Sequence, residues 1–226
     1  MKKLLFTTVL VMFIGIVSIK AQDCTYYFPV KVGSSMEIKN YNDKDKLTGS
    51  AKSKVLDHTG NTIKYTSEVF DNKDKSISKG NFEIRCENNE AIVDMSSYMK
   101  GFNKDAFKGM DVKVDSKAMS IPPSLSVGQK LNDGEVTMKI SNQGVDVMTI
   151  FTKIYNRKVE ALEDITTPAG KFKCAKITYD IESKSVMLMR TKGIEWISTK
   201  VGVVRTESYD QKGKLTSYSV LSSFSE

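Results

Sequence analysis

Few residues of this chain have the types and spacing that catalysis usually needs. His58 is the only histidine, and it lies in a Leu-Asp-His-Thr-Gly run that is typical of a turn. A single histidine leaves no Ser-His-Asp triad, Cys-His pair or His-based zinc site elsewhere in the sequence. No dinucleotide or phosphate loop, nucleophile elbow or Cys-x-x-Cys motif is present either. We therefore expect no metal, no cofactor and no enzymatic activity.

The acidic residues give only weak signals. Glu163 and Asp164 are neighbours, and adjacent carboxylates in a loop do not indicate catalysis. The Asn42–Asp45 segment faintly resembles a calcium loop, but its lysine and the missing distal glutamate argue against one. A pair of carboxylates that face each other across a cleft, as in glycosidases, stays open as an alternative.

Three cysteines remain after the first 21 residues: Cys24, Cys86 and Cys174. In an oxidising compartment, three cysteines predict one disulfide and one spare thiol. Cys24 lies near the start of the mature chain and could reach either of the other two cysteines. Of the two pairings we favour the Cys24–Cys86 disulfide. The equal alternative is that all three are buried as small apolar side chains.

The first residues have the pattern of a secretory signal peptide. Lys2 and Lys3 precede an apolar run over 4–17, and Ala21 offers a small residue for cleavage. The run is short for a membrane span, so an uncleaved N-terminal anchor is the weaker alternative. We expect cleavage near Ala21 and a periplasmic or secreted protein that does not span the membrane.

Composition further limits the classes of partner. Removing Lys2, Lys3 and Lys20, with no acid in the signal segment, lowers the formal charge from +7 to +4. The remaining lysines are spread along the chain, mostly near acids, which is typical of a solubilising surface rather than of a nucleic-acid patch, so we expect no nucleic-acid partner. A mature chain over 22–226 suits a single domain that buries enough surface to fold without disulfides.

Alternation of apolar and polar residues predicts that this domain is all-β and antiparallel. Turn residues fall between the alternating runs at short intervals. The 163–209 stretch holds the only tryptophan and two tight reversals, so we expect it to be the centre of the sheet. The clearest alternating runs are Met36 and Ile38; Ile63, Tyr65 and Val69; Phe82, Ile84 and Cys86; and Val136, Met138 and Ile140.

One turn sequence recurs. Residues 41–48 and 209–216 agree at five of eight positions, and 70–75 is a looser third copy. Shared turn chemistry explains this better than a duplicated fold, because turn types dictate their residues. A type I turn followed by a left-handed residue is predicted at three equivalent positions: Asp45, Asp74 and Gly213.

A short helix is predicted from Ser96 to Met110, where apolar side chains, Phe102 among them, recur at three- and four-residue steps. Gly101 and Gly109 weaken this helix. It would either cover a cavity as a lid or plug the open end of the sheet. After it, two prolines in the 121–131 segment predict an extended, unpaired connection, and a possible boundary between two halves near 120–131.

Two predicted strands are apolar on both faces: 148–151 and 186–189. A sheet that is wet on one side does not need this, so either both faces are covered or one face lines an apolar pocket. Methionine adapts to a varying neighbour, which favours the pocket. The candidate ligand-lining residues are Met148, Phe151, Met187, Met189, Trp196 and Phe102, although a packed core would explain them equally well.

Within the central stretch, the Thr-Pro-Ala-Gly170 run predicts a β-turn with a positive φ at its glycine. The apolar face changes sides at Cys174–Ala175, which predicts a β-bulge or sharp coil there. Trp196 fits core packing, and its indole N–H will then need an acceptor.

These residues carry a resemblance to a known family. The Thr-Pro-Ala-Gly-Lys-Phe-Lys-Cys174, Gly-Ile-Glu-Trp-Ile197 and Val-Gly-Val-Val-Arg205 segments resemble exported Gram-negative envelope proteins known as TapB-like, related to the domain-of-unknown-function family 3108. The resemblance covers essentially the whole mature chain. It implies a strongly curved antiparallel sheet, a half-barrel or open barrel similar to that of periplasmic lipoprotein carriers, with the short helix packed against it. It assigns no activity and no catalytic residue.

Two functions follow as hypotheses. The first is a binding protein that holds an apolar or lipid-like ligand on its curved sheet. The alternative is an interaction or assembly factor of the envelope that acts through protein contacts without catalysis.

Overall fold

The computed structural model describes residues 27–96 and 109–226, and within those ranges the regular elements are β-strands with no α-helix. The predicted all-β class is confirmed. The predicted helix over 96–110, with Phe102, lies almost wholly outside the described residues. The thirteen strands are β1 Ser35–Asn42, β2 Leu47–Thr59, β3 Thr62–Asp71, β4 Ser76–Glu87, β5 Glu90–Val93, β6 Asp111–Lys117, β7 Met119–Ile121, β8 Gly134–Asn142, β9 Val145–Thr167, β10 Gly170–Lys184, β11 Leu188–Ser198, β12 Gly202–Tyr209 and β13 Leu215–Ser225.

The strands form one antiparallel sheet in the order β6-β8-β9-β10-β11-β12-β13-β1-β2-β3-β4-β5-β7. Its edge strands β6 and β7 are joined in sequence by Ala118 alone. One linking residue spans at most about 7 Å between its neighbours, so the two edges of the sheet must lie close together. The sheet is therefore a nearly closed barrel with one seam between β6 and β7.

Side chains bridge this seam. The Asn132 side chain accepts a hydrogen bond from the Ser120 backbone N–H at 2.7 Å and donates one to the Ala118 carbonyl at 3.1 Å. The Ser116 hydroxyl, on β6, donates to Asp94 at 2.9 Å. These bonds satisfy polar groups that an open sheet edge would leave to water.

The recurrent turns close three hairpins as predicted: β1–β2, β3–β4 and β12–β13. Asp45 and Asp74 have φ of 57°, and Gly213 has φ of 79°. Each turn begins with an Asn or Asp whose side-chain oxygen accepts two backbone N–H bonds, which stabilises the turn locally. The turn-starting residues are Asn42, Asp71 and Asp210.

Buried side chains form three clusters. The first lies between the two sides of the barrel and includes Tyr65, Val159 and Ile177. The second covers the seam and includes Met119 and the alternating face of β8, where the predicted inward residues Val136, Met138 and Ile140 are buried. The third covers the opposite face of β10–β12 and includes Cys174, Trp196 and Leu221.

The prediction of a bulge at Cys174–Ala175 is wrong, and the third cluster explains why the apolar pattern changes there. Strand pairing is regular at this point in both neighbouring ladders, and the first register shift lies at Lys176/Ile177. Cys174 packs in the third cluster and Ala175 in the first. The apolar pattern changes sides because both faces of the strand are covered.

The connection over 121–131 is also paired more than predicted. Lys130 forms a bridge to Lys158 of β9, and backbone hydrogen bonds join Gly128 and Leu131 to the same strand. The two prolines end β7, while the residues after them follow β9. No helix in the described ranges is long and apolar enough to cross a membrane.

Candidate functional site

An apolar cavity lies inside the barrel, between β4, β5 and β7 on one side and β9, β11 and β12 on the other. Its volume is about 300 Å³, and it is partly open to solvent. The alternating period of strands directs side chains from both sides into this space. The apolar side chains that line it include Phe82, Ile84, Val93, Ile121, Ile197 and Val203.

A β-bulge in β9 places a charged residue in this apolar cavity. Asn156 has a left-handed φ of 55°, and the register of β9 against β10 shifts between Thr178 and Asp180. Tyr179 therefore faces two residues of β9 instead of one, which moves the inward position from Asn156 to Arg157. Ile154 before the bulge and Val159 after it both remain buried.

Arg157 is held by the seam. Its Nη1 donates to the Asn132 carbonyl at 3.0 Å and to the Ser120 carbonyl at 3.3 Å. Its side chain is only 2% exposed. Its Nε–H has no hydrogen-bond acceptor among the described residues. An unsatisfied buried donor costs about 1–3 kcal/mol, so such groups call for an explanation.

Glu195 faces Arg157 across the β10 strand. The Arg157 Nη2 and the Glu195 Oε1 are 3.8 Å apart, and the Glu195 side chain is 19% exposed. Burial raises the pKa of Glu195, and the neighbouring Arg157 guanidinium opposes this rise without cancelling it. The cavity thus has an apolar lining and one loosely joined ion pair, which can bind the polar end of an otherwise apolar molecule.

Close packing beside the pair fixes the shape of β11. Gly193 lies directly across from Tyr179, and the ring occupies the space that a Cβ at Gly193 would need. Tyr179 packs against both the first and the second cluster. A glycine two residues before Glu195 thereby lets the aromatic ring lie on the strand backbone.

The candidate ligand-lining residues lie elsewhere. Met148 is half-buried against the second cluster, and Phe151 is half-buried on β9. Met187 is 73% exposed and Met189 is 59% exposed. We call residues 186–189 the hairpin tip, since they lie where the β10–β11 ladder ends and belong to none of the three clusters. Phe102 lies outside the described residues.

Trp196 is a core residue with a satisfied indole. It is 5% exposed, and its Nε1 donates a hydrogen bond to the Glu163 carboxylate at 2.6 Å. The acceptor that was expected for the indole N–H is therefore present. Lys176 and Arg205 lie over its ring at 5.4 and 5.9 Å from the centroid. Because strand side chains alternate, Trp196 and Glu195 point to opposite faces of β11, so Trp196 does not line the cavity.

The cysteines divide as one disulfide and one thiol. Cys86 is disulfide-bonded, and Cys174 is free and buried. The expected partner Cys24 lies outside the described residues, so the Cys24–Cys86 pairing stays a prediction. Burial raises the pKa of the Cys174 thiol to about 11, and the neighbouring Asp164 and Glu163 carboxylates add to the rise.

Sequence reasoning missed Arg157 and Glu195. Glu195 lies between Ile194 and Trp196, so simple alternation predicts that it faces solvent. The available signal for Arg157 is Asn156, a residue that tolerates left-handed φ inside an otherwise β-prone run. In the described part of the chain, no group of three or more His, Cys, Asp or Glu residues is arranged to hold a metal ion.

Comparisons with known proteins agree with this fold. A solved structure of a candidate lipoprotein from Parabacteroides distasonis ATCC 8503 matches with a TM-score of 0.73 and 25% identity, over 90% of this chain and 100% of that one. A candidate exported protein with a YmcC-like fold from Bacteroides fragilis NCTC 9343 matches with a TM-score of 0.72 and 24% identity, over the same shares. No curated protein matches the chain.

A family described as DUF3108-like matches residues 31–221. This confirms the predicted relation to family 3108, whereas the name TapB-like is not matched. The match covers nearly all of the barrel, from the start of β1 to within β13. The chain belongs to the DUF3108-like family.

Proposed function

We propose that this chain is an exported envelope protein that binds an apolar or lipid-like molecule in the barrel cavity. The observation that carries the proposal is the apolar cavity of about 300 Å³ between the two sides of the barrel. Natural small-molecule sites are concave, mostly apolar and supplied with a few polar groups, and their volumes begin near this size. Arg157 and Glu195 are those polar groups here.

Export rests on the first residues and on the neighbours. Met1–Ala21 has the charged start, apolar run and small exit residue of a signal peptide. The similar structures are described as an exported protein and a lipoprotein. These observations support our proposal of a periplasmic or secreted location with cleavage near Ala21, which N-terminal sequencing of the exported protein tests.

A ligand that co-purifies with the protein tests the binding proposal. The protein should be exported in a Gram-negative host and examined by native mass spectrometry. We expect an added mass that organic extraction removes. Val203→Phe, which fills the cavity, should abolish this mass, and Val93→Phe from the opposite side should do the same.

Val147→Phe is the matched control. Val147 is 58% exposed near the start of β9, away from the cavity. The same substitution there should leave the added mass unchanged. An added mass that persists in both cavity variants while they remain folded would contradict the proposal, and so would no bound molecule together with no binding of added lipids.

The exposed hairpin tip favours a second candidate function, contact with an envelope protein. Val186 is 86% exposed and Leu188 is 47% exposed, beside the two exposed methionines of the tip. These four exposed apolar side chains are consecutive in sequence, and apolar patches on a protein surface often mark interaction sites. A photo-crosslinking residue at position 187 should then give one discrete adduct in the producing cell, and a matched residue at position 80 should not. A diffuse or absent adduct would remove this candidate.

A further inference from the structure

We propose that the Arg157–Glu195 pair selects a ligand whose polar end is neutral and both donates and accepts hydrogen bonds, above all a hydroxyl group. This inference rests on the proposed function, since it concerns the polar end of the same cavity. It concerns the chemical class of the ligand and predicts discrimination against fatty acids and against apolar amines.

The first reason is that the two charges already balance. Arg157 supplies one positive charge and Glu195 one negative charge, 3.8 Å apart, in an apolar surrounding. A carboxylate ligand would lie near Glu195 and an ammonium ligand near Arg157. Like charges repel more strongly in a low-dielectric cavity than in water, so both kinds of ion are disfavoured.

The second reason is that the pair leaves hydrogen-bonding capacity unused. The Arg157 Nη2 and the Glu195 Oε1 lie 3.8 Å apart, which is beyond hydrogen-bond distance, so the guanidinium can still donate a bond and the carboxylate can still accept one. A hydroxyl group can donate to the carboxylate and accept from the guanidinium, which satisfies both without adding charge.

The other carboxylate at the cavity does not change this balance. Glu83 is 42% exposed at the cavity edge, and it pairs with Arg85 at 3.5 Å. Solvent screens such an exposed pair, so its field inside the cavity is weak. The selective groups are therefore Arg157 and Glu195, whose side chains are 2% and 19% exposed.

The cavity also limits the apolar part. A water-sized group occupies about 30 Å³ in a liquid, so a cavity of about 300 Å³ holds roughly ten non-hydrogen atoms. A medium-chain alcohol such as 1-octanol fits this size, as does one acyl segment of a larger hydroxyl-bearing lipid that projects through the opening.

The test compares 1-octanol with octanoate at pH 7.5, by calorimetric titration of the delipidated protein. We expect the wild-type protein to bind 1-octanol at least tenfold more tightly than octanoate. In Glu195→Gln, Arg157 keeps its positive charge without a counter-charge. The ratio of the octanoate dissociation constant to the 1-octanol dissociation constant should therefore fall by at least tenfold.

Glu182→Gln is the matched control. Glu182 pairs with Arg190 at 2.8 Å on the same two strands, β10 and β11, and neither residue lines the cavity. Its removal should leave the preference unchanged. If Glu195→Gln does not fold, the preference of the wild-type protein for 1-octanol over octanoate decides by itself whether the inference holds.

The outcomes separate the two proposals. If neither compound nor any longer lipid binds, the binding function itself is wrong. If both compounds bind and the wild-type preference is below tenfold, or if folded Glu195→Gln keeps the wild-type preference, the cavity binds apolar molecules but the inference about the polar end is overturned.

Discussion

The barrel cavity and the hairpin tip are built from similar side chains in opposite environments. Val93 and Met119 line the cavity, whereas Val186 and Met187 lie at the tip with 86% and 73% of their surface exposed. The difference arises from what lies opposite each group. The two sides of the barrel face each other across the cavity, while the side chains of the tip, at the end of the β10–β11 ladder, belong to none of the three buried clusters. Apolar character alone therefore does not locate a ligand site.

The largest expected difference between the two regions concerns Arg157. Arg157→Met removes both bonds to the seam carbonyls and leaves Glu195 without its partner. Breaking a buried ion pair costs about 3–5 kcal/mol. Urea unfolding followed by the fluorescence of Trp196, the single tryptophan, measures this loss.

The comparison variant at the tip is Met187→Ser. An exposed side chain outside every cluster should change the free energy of unfolding by less than about 0.5 kcal/mol. Equal effects of the two substitutions would contradict the distinction between a buried site and an exposed tip.

A second test concerns the packing beside the site. Gly193→Ala places a Cβ in the space that the Tyr179 ring occupies. Overpacking of this kind costs about 1–3 kcal/mol. Gly80 is the control, because a Cβ there meets nothing within 4 Å and its φ is not positive.

Gly80→Ala should keep the wild-type stability or raise it by up to about 1 kcal/mol, since alanine restricts the unfolded chain. The same urea titration compares the two. If Gly193→Ala is as stable as Gly80→Ala, the ring does not lie on the β11 backbone as described.

A smaller effect is expected from pH. Burial raises the pKa of Glu195 above its ordinary value. A carboxyl group whose pKa is raised in the folded state stabilises the protein below its unfolded pKa of about 4.3, and this stabilisation is lost as pH rises through the folded pKa.

Glu195→Gln cannot titrate. We therefore expect the stability of the wild-type protein relative to Glu195→Gln to fall as pH rises above about 4.3. Unfolding curves at several pH values measure this. A rise in relative wild-type stability would mean that Arg157 lowers the Glu195 pKa more than burial raises it.

The smallest effect concerns a single thiol. The pKa of Cys174 is raised to about 11, and its side chain is buried. Because the thiolate is the reactive form, alkylation at pH 8 should be slow in the folded protein and complete in denaturant. Mass spectrometry of the Cys174 peptide measures both. Rapid labelling of the native protein would show that the third cluster opens.

The parts of the fold that were predicted correctly depend on local chemistry. The turns at Asp45, Asp74 and Gly213 are fixed by left-handed φ and by Asx hydrogen bonds within a few residues. The β8 face was predicted correctly because β8 keeps one unbroken alternation. These features need no knowledge of distant parts of the chain.

The site was missed because it depends on distant contacts. The bulge at Asn156 reverses which β9 residues point inward, and it places Arg157 where the carbonyls of Ser120 and Asn132 can accept its hydrogen bonds. Nothing near Glu195 in sequence shows that both faces of β11 are covered. A regular period of two predicts a face only until the first bulge.

Ligand binding in the barrel cavity can be located by observing which side chains a bound apolar molecule touches. Methyl groups of isoleucine, leucine, valine and methionine should be labelled, and their NMR shifts followed while 1-octanol is added. We expect saturable shifts at the cavity methyls of Ile84, Ile121 and Ile197, with no saturable shift at the tip residues Met187 and Leu188. Saturable shifts confined to the tip would contradict binding in the cavity.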